Sequence, residues 1–151
     1  MRRFPVVLVA GLLFGAVLCG SDPWTSDDLV QPAQAAADIR KDVDAALFIH
    51  VGFEALYHGA HIPRSVYAGP ASTDQGIAEL KKAVEGQPRG RQIVLYCGCC
   101  PWDRCPNIRP AFAALHEMGF TRVKAMVVPT NLKTDWIDKG YPADKSTDSA
   151  K

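Results

Sequence analysis

Four of the five cysteines in this chain fall within nine residues: Cys97, Cys99, Cys100 and Cys105, in the run Cys97-Gly-Cys-Cys-Pro-Trp-Asp-Arg-Cys105. Clustered thiols offer three kinds of chemistry. A thiolate attacks electrophilic sulfur, neighbouring thiols exchange with a disulfide, and several soft thiolates together hold a soft metal ion. The spacing C-x-C-C-x4-C lacks the separated C-x2-C pairs of ordinary zinc sites. Six basic residues, Arg89, Arg91, Arg104, Arg109, Arg122 and Lys124, stand around the cluster against Asp103 and Glu117. A small anionic ligand is therefore expected, with Arg104, inside the loop, as the side chain best placed to meet it. Arg89, Arg91, Arg122 and Lys124 read rather as ordinary solvated surface groups.

The elements around the cluster must bring it to one place. Ile93 to Tyr96 (IVLY) is the most apolar β-type run in the chain and ends at Cys97, which predicts a buried parallel strand delivering that thiol to an edge. A helix from about Asn107 to Met118 follows, stopped at Gly119, where a left-handed cap costs little. The helix N-terminus just behind the loop favours a thiolate or a bound oxyanion. Elsewhere, Pro32 to Arg40 reads as a proline-started helix and Ala46 to Val51 as a strand. Ser65 to Tyr67 reads as a short strand, and Ser72 and Thr73 as caps of a helix reaching Val84. Val123 to Val128 reads as a strand and Leu132 to Asp138 as a closing helix. The alternation predicts an α/β layer fold with a central parallel sheet.

Composition narrows the class further. The 151 residues are 48% hydrophobic and 22% charged with a formal charge of +1, the profile of one globular domain with no overall attraction to nucleic acid or to an anionic membrane surface. Arg2 and Arg3 precede an uncharged run from Phe4 to Gly20, which reads as an export signal over residues 1–20. Its length, at the lower edge of a bilayer span, leaves an uncleaved anchor open, and lipidation of Cys19 is the lesser reading. The expected location is thus the periplasm or another extracytoplasmic space, with membrane contact only through this segment. Residues 21–28 read as a linker, 29–143 as the domain and 144–151 as a polar tail.

Several separated motifs resemble the rhodanese family of sulfurtransferases. Leu29 to Ile39 (LVQPAQAAADI) is similar to the family's opening proline-started helix, and Phe48 to Ser65 (FIHVGFEALYHGAHIPRS) to its strand, acidic turn and G-H-I-P-G-A segment. Tyr96-Cys97 stands where the family carries its strand-end cysteine. Ala111 to Phe120 (AFAALHEMGF) matches the helix ending in Gly-Phe, and Trp136 to Pro142 (WIDKGYP) the closing W-x-x-x-G-x-P. The resemblance implies a three-layer α/β/α domain and a nucleophilic Cys97. That thiol would accept the outer sulfur of thiosulfate or a related donor as a persulfide, then pass it to cyanide or to a thiol, which can belong to another protein. It also implies that N–H groups from Gly98 through Cys99, Cys100 and Arg104 to Cys105 cradle the sulfur. No cofactor is implied, and no histidine is assigned a catalytic role; His61 reads as structural.

The chain departs from that pattern in three ways. His50 replaces a common aspartate and Gly52 the arginine after it, Pro129 replaces a glycine pair, and the loop from Cys97 to Asn107 is longer than the family's. Pro101 and Pro106 remove two donors from the loop, and Trp102 reads either as a cover for the persulfide or as surface packing. Three explanations of the extra thiols stay open: a resolving thiol in a relay, a soft-metal site, or a Cys100–Cys105 disulfide pinning the loop. The alternative to turnover is therefore a non-catalytic thiol-relay or soft-metal-binding module. A thioredoxin-like reading of Cys97-Gly-Cys-Cys100 with Val128-Pro129-Thr130 is disfavoured, because only 28 residues separate Cys100 from Pro129.

Overall fold

The computed structural model describes residues 24–145. The export segment read at 1–20, with Cys19, and residues 146–151 of the tail lie outside them. No helix among the described residues is long and apolar enough to cross a membrane.

Five strands form one all-parallel sheet: β1 (Leu29–Val30), β2 (Leu47–His50), β3 (Val66–Tyr67), β4 (Ile93–Tyr96) and β5 (Val123–Met126), in the order β1-β5-β4-β2-β3. Every residue of the central β4 is buried. A parallel strand covered on both faces needs side chains that are apolar without alternation, and IVLY supplies them. Ile93 and Leu95 enter the core shared with α3 (Asp74–Ala83) and α4 (Ile108–Glu117), while Val94 and Tyr96 enter the core shared with α1 (Pro32–Lys41) and Trp136. The result is the expected three-layer α/β/α arrangement.

The helix ends follow their sequence signals. Thr73 Oγ1 accepts the Gly76 N–H at 3.0 Å and caps α3. Gly119 takes φ +86° beyond α4, and the Phe120 N–H reaches back to the Leu115 carbonyl at 3.1 Å. Trp136, fully buried, donates Nε1–H to the Pro142 carbonyl at 2.8 Å across Gly140, whose φ is +67°. That closed loop is the physical content of the W-x-x-x-G-x-P motif.

Four elements differ from their reading in the sequence. The acidic turn after β2 is a short helix, α2 (Glu54–Gly59). Leu29 and Val30 precede the first helix as a strand, because they pair with Ala125 and Met126. β5 ends at Met126, and the closing helix is a single wide turn over Lys133–Ile137. Within residues 21–28, Trp24 packs against Trp102 and Phe112 at ring separations of 5.4 and 4.7 Å.

The His61-Ile-Pro63 segment is held to β4 by one hydroxyl. Tyr96 Oη, buried, accepts the Ile62 N–H at 3.2 Å and bonds the Ser65 hydroxyl at 2.8 Å. Tyr96→Phe leaves both partners buried and unpaired, so a loss of about 1–3 kcal/mol is expected. Urea unfolding should show it as a lower midpoint at unchanged slope; an unchanged midpoint would mean that the hydroxyl contributes nothing.

Candidate active site

β4 ends by placing Cys97 at the carboxyl edge of the sheet, where open α/β sheets form their ligand crevices. The residue is only 3% exposed. Gly98 then turns at φ +100°, and a Cβ there would stand 3.0 Å from that of Leu132, whose N–H donates to the Gly98 carbonyl at 3.1 Å. This turn throws Cys99 outward into solvent and brings its sulfur to 3.4 Å from Cys97 Sγ. Cys100, half-buried, lies 3.1 Å sulfur to sulfur from Cys99. The chain makes one tight turn over Trp102–Arg104 and returns at the buried Cys105. The sulfurs of Cys97, Cys99 and Cys105 all lie within 4.8 Å of one another.

The donors of the loop are divided differently from the expected cradle. The Trp102 N–H goes to the Val128 carbonyl, that of Arg104 to Pro101 and that of Cys105 to Trp102. Cys97 receives the Cys99 N–H and, at 3.5 Å, Asn107 Nδ2. The backbone N–H groups of Asn107 and Ile108, at the cap and first position of α4, lie beside Cys105 and favour its thiolate. A thiolate is best stabilised where helix amides converge, and here they converge on Cys105. The hydrogen bond from Cys97 lowers the Cys105 thiol first, the two amides add to it, and the value comes to about 6. Cys97 moves the opposite way, held protonated by the Cys105 sulfur beside it and by burial. Burial, then Cys99, raises Cys100 to about 12.

Asn107 went unassigned in the sequence and proves central. Its side chain is buried, with Oδ1 accepting the Ser72 N–H at 2.9 Å while Nδ2 points at Cys97. The only sequence signal was an amide residue at a helix start, which reads as an ordinary cap. In fact its side chain makes no cap hydrogen bond.

His50 and Gly52 form the wall behind Cys97. A Cβ on Gly52 would lie 2.7 Å from Cys97 Sγ and 3.0 Å from His50 Cε1. The sulfur and the imidazole thus fill the space that an arginine side chain would need. His50 is completely buried and Nε2 has no partner. Burial pulls its pKa down to about 4 from an ordinary 6.5, so the native state prefers the neutral ring. The unfolded chain then binds more protons between those two values, and stability present above pH 6.5 drains away as pH falls toward 4. The full shift corresponds to about 3 kcal/mol. A His50→Gln chain should unfold with a flatter pH dependence across that window, and an equally steep one would assign the acid sensitivity elsewhere.

The remaining predicted residues separate clearly. Arg104 is exposed on the turn. Arg89 lies over the Phe120 ring at 4.6 Å and Arg109 over Trp24 at 5.5 Å, while Arg91, Arg122 and Lys124 bond Asp44, Gln92 and Asp27. The basic residues near the cluster in sequence are thus engaged on the surface. Trp102 packs with Trp24, consistent with the surface-packing reading. His61 stacks on Tyr57 at 4.1 Å and its main chain pairs with Asp144, a structural role. All four described cysteines are free thiols. An open groove of about 580 Å³ reaches the cluster, walled by Leu56, Leu132 and Ile137 and floored by Gly98 and Cys99.

Fold and site together define an open parallel α/β domain with a buried thiol at the carboxyl end of its central strand. A protein of Bacillus halodurans superposes with a TM-score of 0.62 at 18% identity, covering 80% of this chain and 78% of that one. The rhodanese-like domain of an Anabaena protein does so with a TM-score of 0.57 at 15% identity, covering 82% and 83%. A Rhodopseudomonas palustris protein described as of unknown function and a possible tyrosine phosphatase gives 0.56 at 16%, covering 79% and 86%. No family model and no curated protein matches the chain. The chain has the rhodanese-like fold. Likeness at this distance establishes architecture, and activity has to be argued from the thiols.

Proposed function

We propose that the protein is a sulfurtransferase that carries sulfane sulfur as a persulfide on Cys97. The observation that supports this reading best is the place of Cys97, buried just beyond β4 with Asn107 Nδ2 at 3.5 Å and the Cys99 and Cys105 sulfurs within 4.8 Å. Cys97 and Cys105 share one proton between neighbouring sulfurs, and the pair reacts through the minor form that carries it on Cys105, in which the Cys97 thiolate attacks the outer sulfur of thiosulfate. The sulfur–sulfur bond of the donor breaks, sulfite leaves with the electron pair, and a Cys97 persulfide remains. Cyanide or a thiol then removes the outer sulfur and returns the Cys97 thiolate. The Cys99 N–H and Asn107 Nδ2 stabilise negative charge on the sulfur in both half-reactions. A thiol acceptor approaches along the groove floored by Cys99, whose exposed Leu56 and neighbouring Phe53 offer apolar contact to a protein partner.

Peptide-mapped mass spectrometry of the reduced chain after brief exposure to thiosulfate tests this. One added sulfur is expected on Cys97, with none anywhere in Cys97→Ser. An unmodified loop in the native chain would overturn the reading.

A further inference from the structure

Beyond sulfur transfer, we propose that Cys97, Cys99 and Cys105 form a three-thiolate site for a single Cu(I) ion. Three features of the cluster carry this. The three sulfurs already lie within 4.8 Å of one another, with Cys97 and Cys99 at 3.4 Å. Only a small movement is needed to bring all three onto one ion. The set contains thiols alone: no imidazole nitrogen or carboxylate oxygen joins it among the described residues. A purely soft, three-membered set selects a soft monovalent ion that accepts few ligands, whereas Zn(II) takes four. Cys100, the one candidate for a fourth ligand, lies against Cys99 and Cys105 but is not part of the group in which every sulfur lies within 4.8 Å of every other.

The surroundings suit the charge that such a complex would carry. Three thiolates around one Cu(I) leave a net negative site, and the amides of Asn107 and Ile108 already point at Cys105 while Asn107 Nδ2 points at Cys97. These donors stabilise negative charge on sulfur whether or not it is metal-bound. The site is also graded in access. Cys97 and Cys105 are each 3% exposed and Cys99 is open to solvent, so an ion can be received at Cys99 and then held by the two buried sulfurs. Binding is a ligand exchange with no redox step. The ion arrives as Cu(I), each sulfur donates a pair to it, and the protons carried by the thiols leave to solvent.

The test uses the full reduced chain under anaerobic conditions, with Cu(I) supplied as its complex with bicinchoninate, whose colour reports the copper it retains. The native chain should withdraw one Cu(I) per chain. Cys97→Ser, Cys99→Ser and Cys105→Ser should each compete at least 100-fold less well, and Cys100→Ser within about threefold of native. Because a serine at a buried position can perturb folding, a second readout uses the native chain alone. One equivalent of Cu(I) should protect Cys99 from iodoacetamide, and Zn(II) at the same concentration should not. Failure to withdraw copper, uptake of several ions, an equal loss in Cys100→Ser or equal protection by Zn(II) would each overturn the proposal. Persulfide formation plays no part in these readouts, so either reading can fail while the other stands.

Discussion

Gly76→Ala is expected to cost about 3 kcal/mol or more, although alanine in a helix normally stabilises by about 1 kcal/mol over glycine. The two effects have opposite signs, and geometry decides which wins. A Cβ at Gly76 would stand 2.0 Å from the Pro70 carbonyl oxygen, 2.4 Å from its carbon and 2.9 Å from the Ala71 nitrogen. All three are backbone atoms, so no rotamer change relieves the overlap. Either the first turn of α3 or the 70–73 turn must move. That turn is pinned from both sides, by the Thr73 N–H on the Pro70 carbonyl at 3.0 Å and by the Ser72 N–H on Asn107 Oδ1 at 2.9 Å. A displacement therefore also pulls Asn107 away from Cys97. Since single domains of this size have total stabilities of about 5–15 kcal/mol, the loss should be plain in urea unfolding. A native or raised midpoint would show that the turn yields without cost.

Gly52→Ala should separate activity from stability. Its Cβ would meet Cys97 Sγ at 2.7 Å, His50 Cε1 at 3.0 Å and the Cys97 carbonyl oxygen at 3.2 Å. Two of these contacts are side-chain atoms, and the Cys97 thiol can turn about one bond. The fold should therefore lose only about 1–3 kcal/mol, as for an overpacked core position. The thiol, once turned, leaves its place beside Asn107 Nδ2, Cys99 and Cys105. A misplacement of about 1 Å at a reacting atom costs about 100-fold in rate, and that is the expected fall in persulfide formation from thiosulfate. Comparing single-turnover labelling of Cys97 with unfolding midpoints checks both halves. Unchanged labelling would show that the thiol tolerates the crowding, and the wall formed by Gly52 and His50 would then have no part in positioning it.

Much of the architecture is legible in the amino acids because the decisive signals are local. IVLY can be little other than a strand buried on both faces, Pro32 opens a helix, Gly119 ends one, and Trp136 with Gly140 and Pro142 closes the last loop. The strand-end position of Cys97 follows from the same run, since a buried strand must end where its apolar residues end. The misread elements, β1 and α2, are two and six residues long. A two-residue strand exists only because β5 lies beside it, and so short a helix has no periodicity to detect.

The state of the thiols is a different kind of property. Four cysteines in nine residues announced sulfur or soft-metal chemistry, but not which thiol ionises. That depends on where the first amides of α4 point, and they meet Cys105 rather than Cys97 only because the loop turns through Trp102–Arg104 and commits its own N–H groups to Val128, Pro101 and Trp102. Asn107, Gly52 and His50 are likewise ordinary residues in sequence. They become parts of the site through contacts across the fold, from Ser72 to Asn107 and from Gly52 to Cys97. Residue types and spacing therefore determined the layers and the kind of chemistry. Tertiary packing decided the protonation, the access and the neighbours of each sulfur, because fields and close contacts fall off over a few ångströms and depend on which segments the fold brings that near.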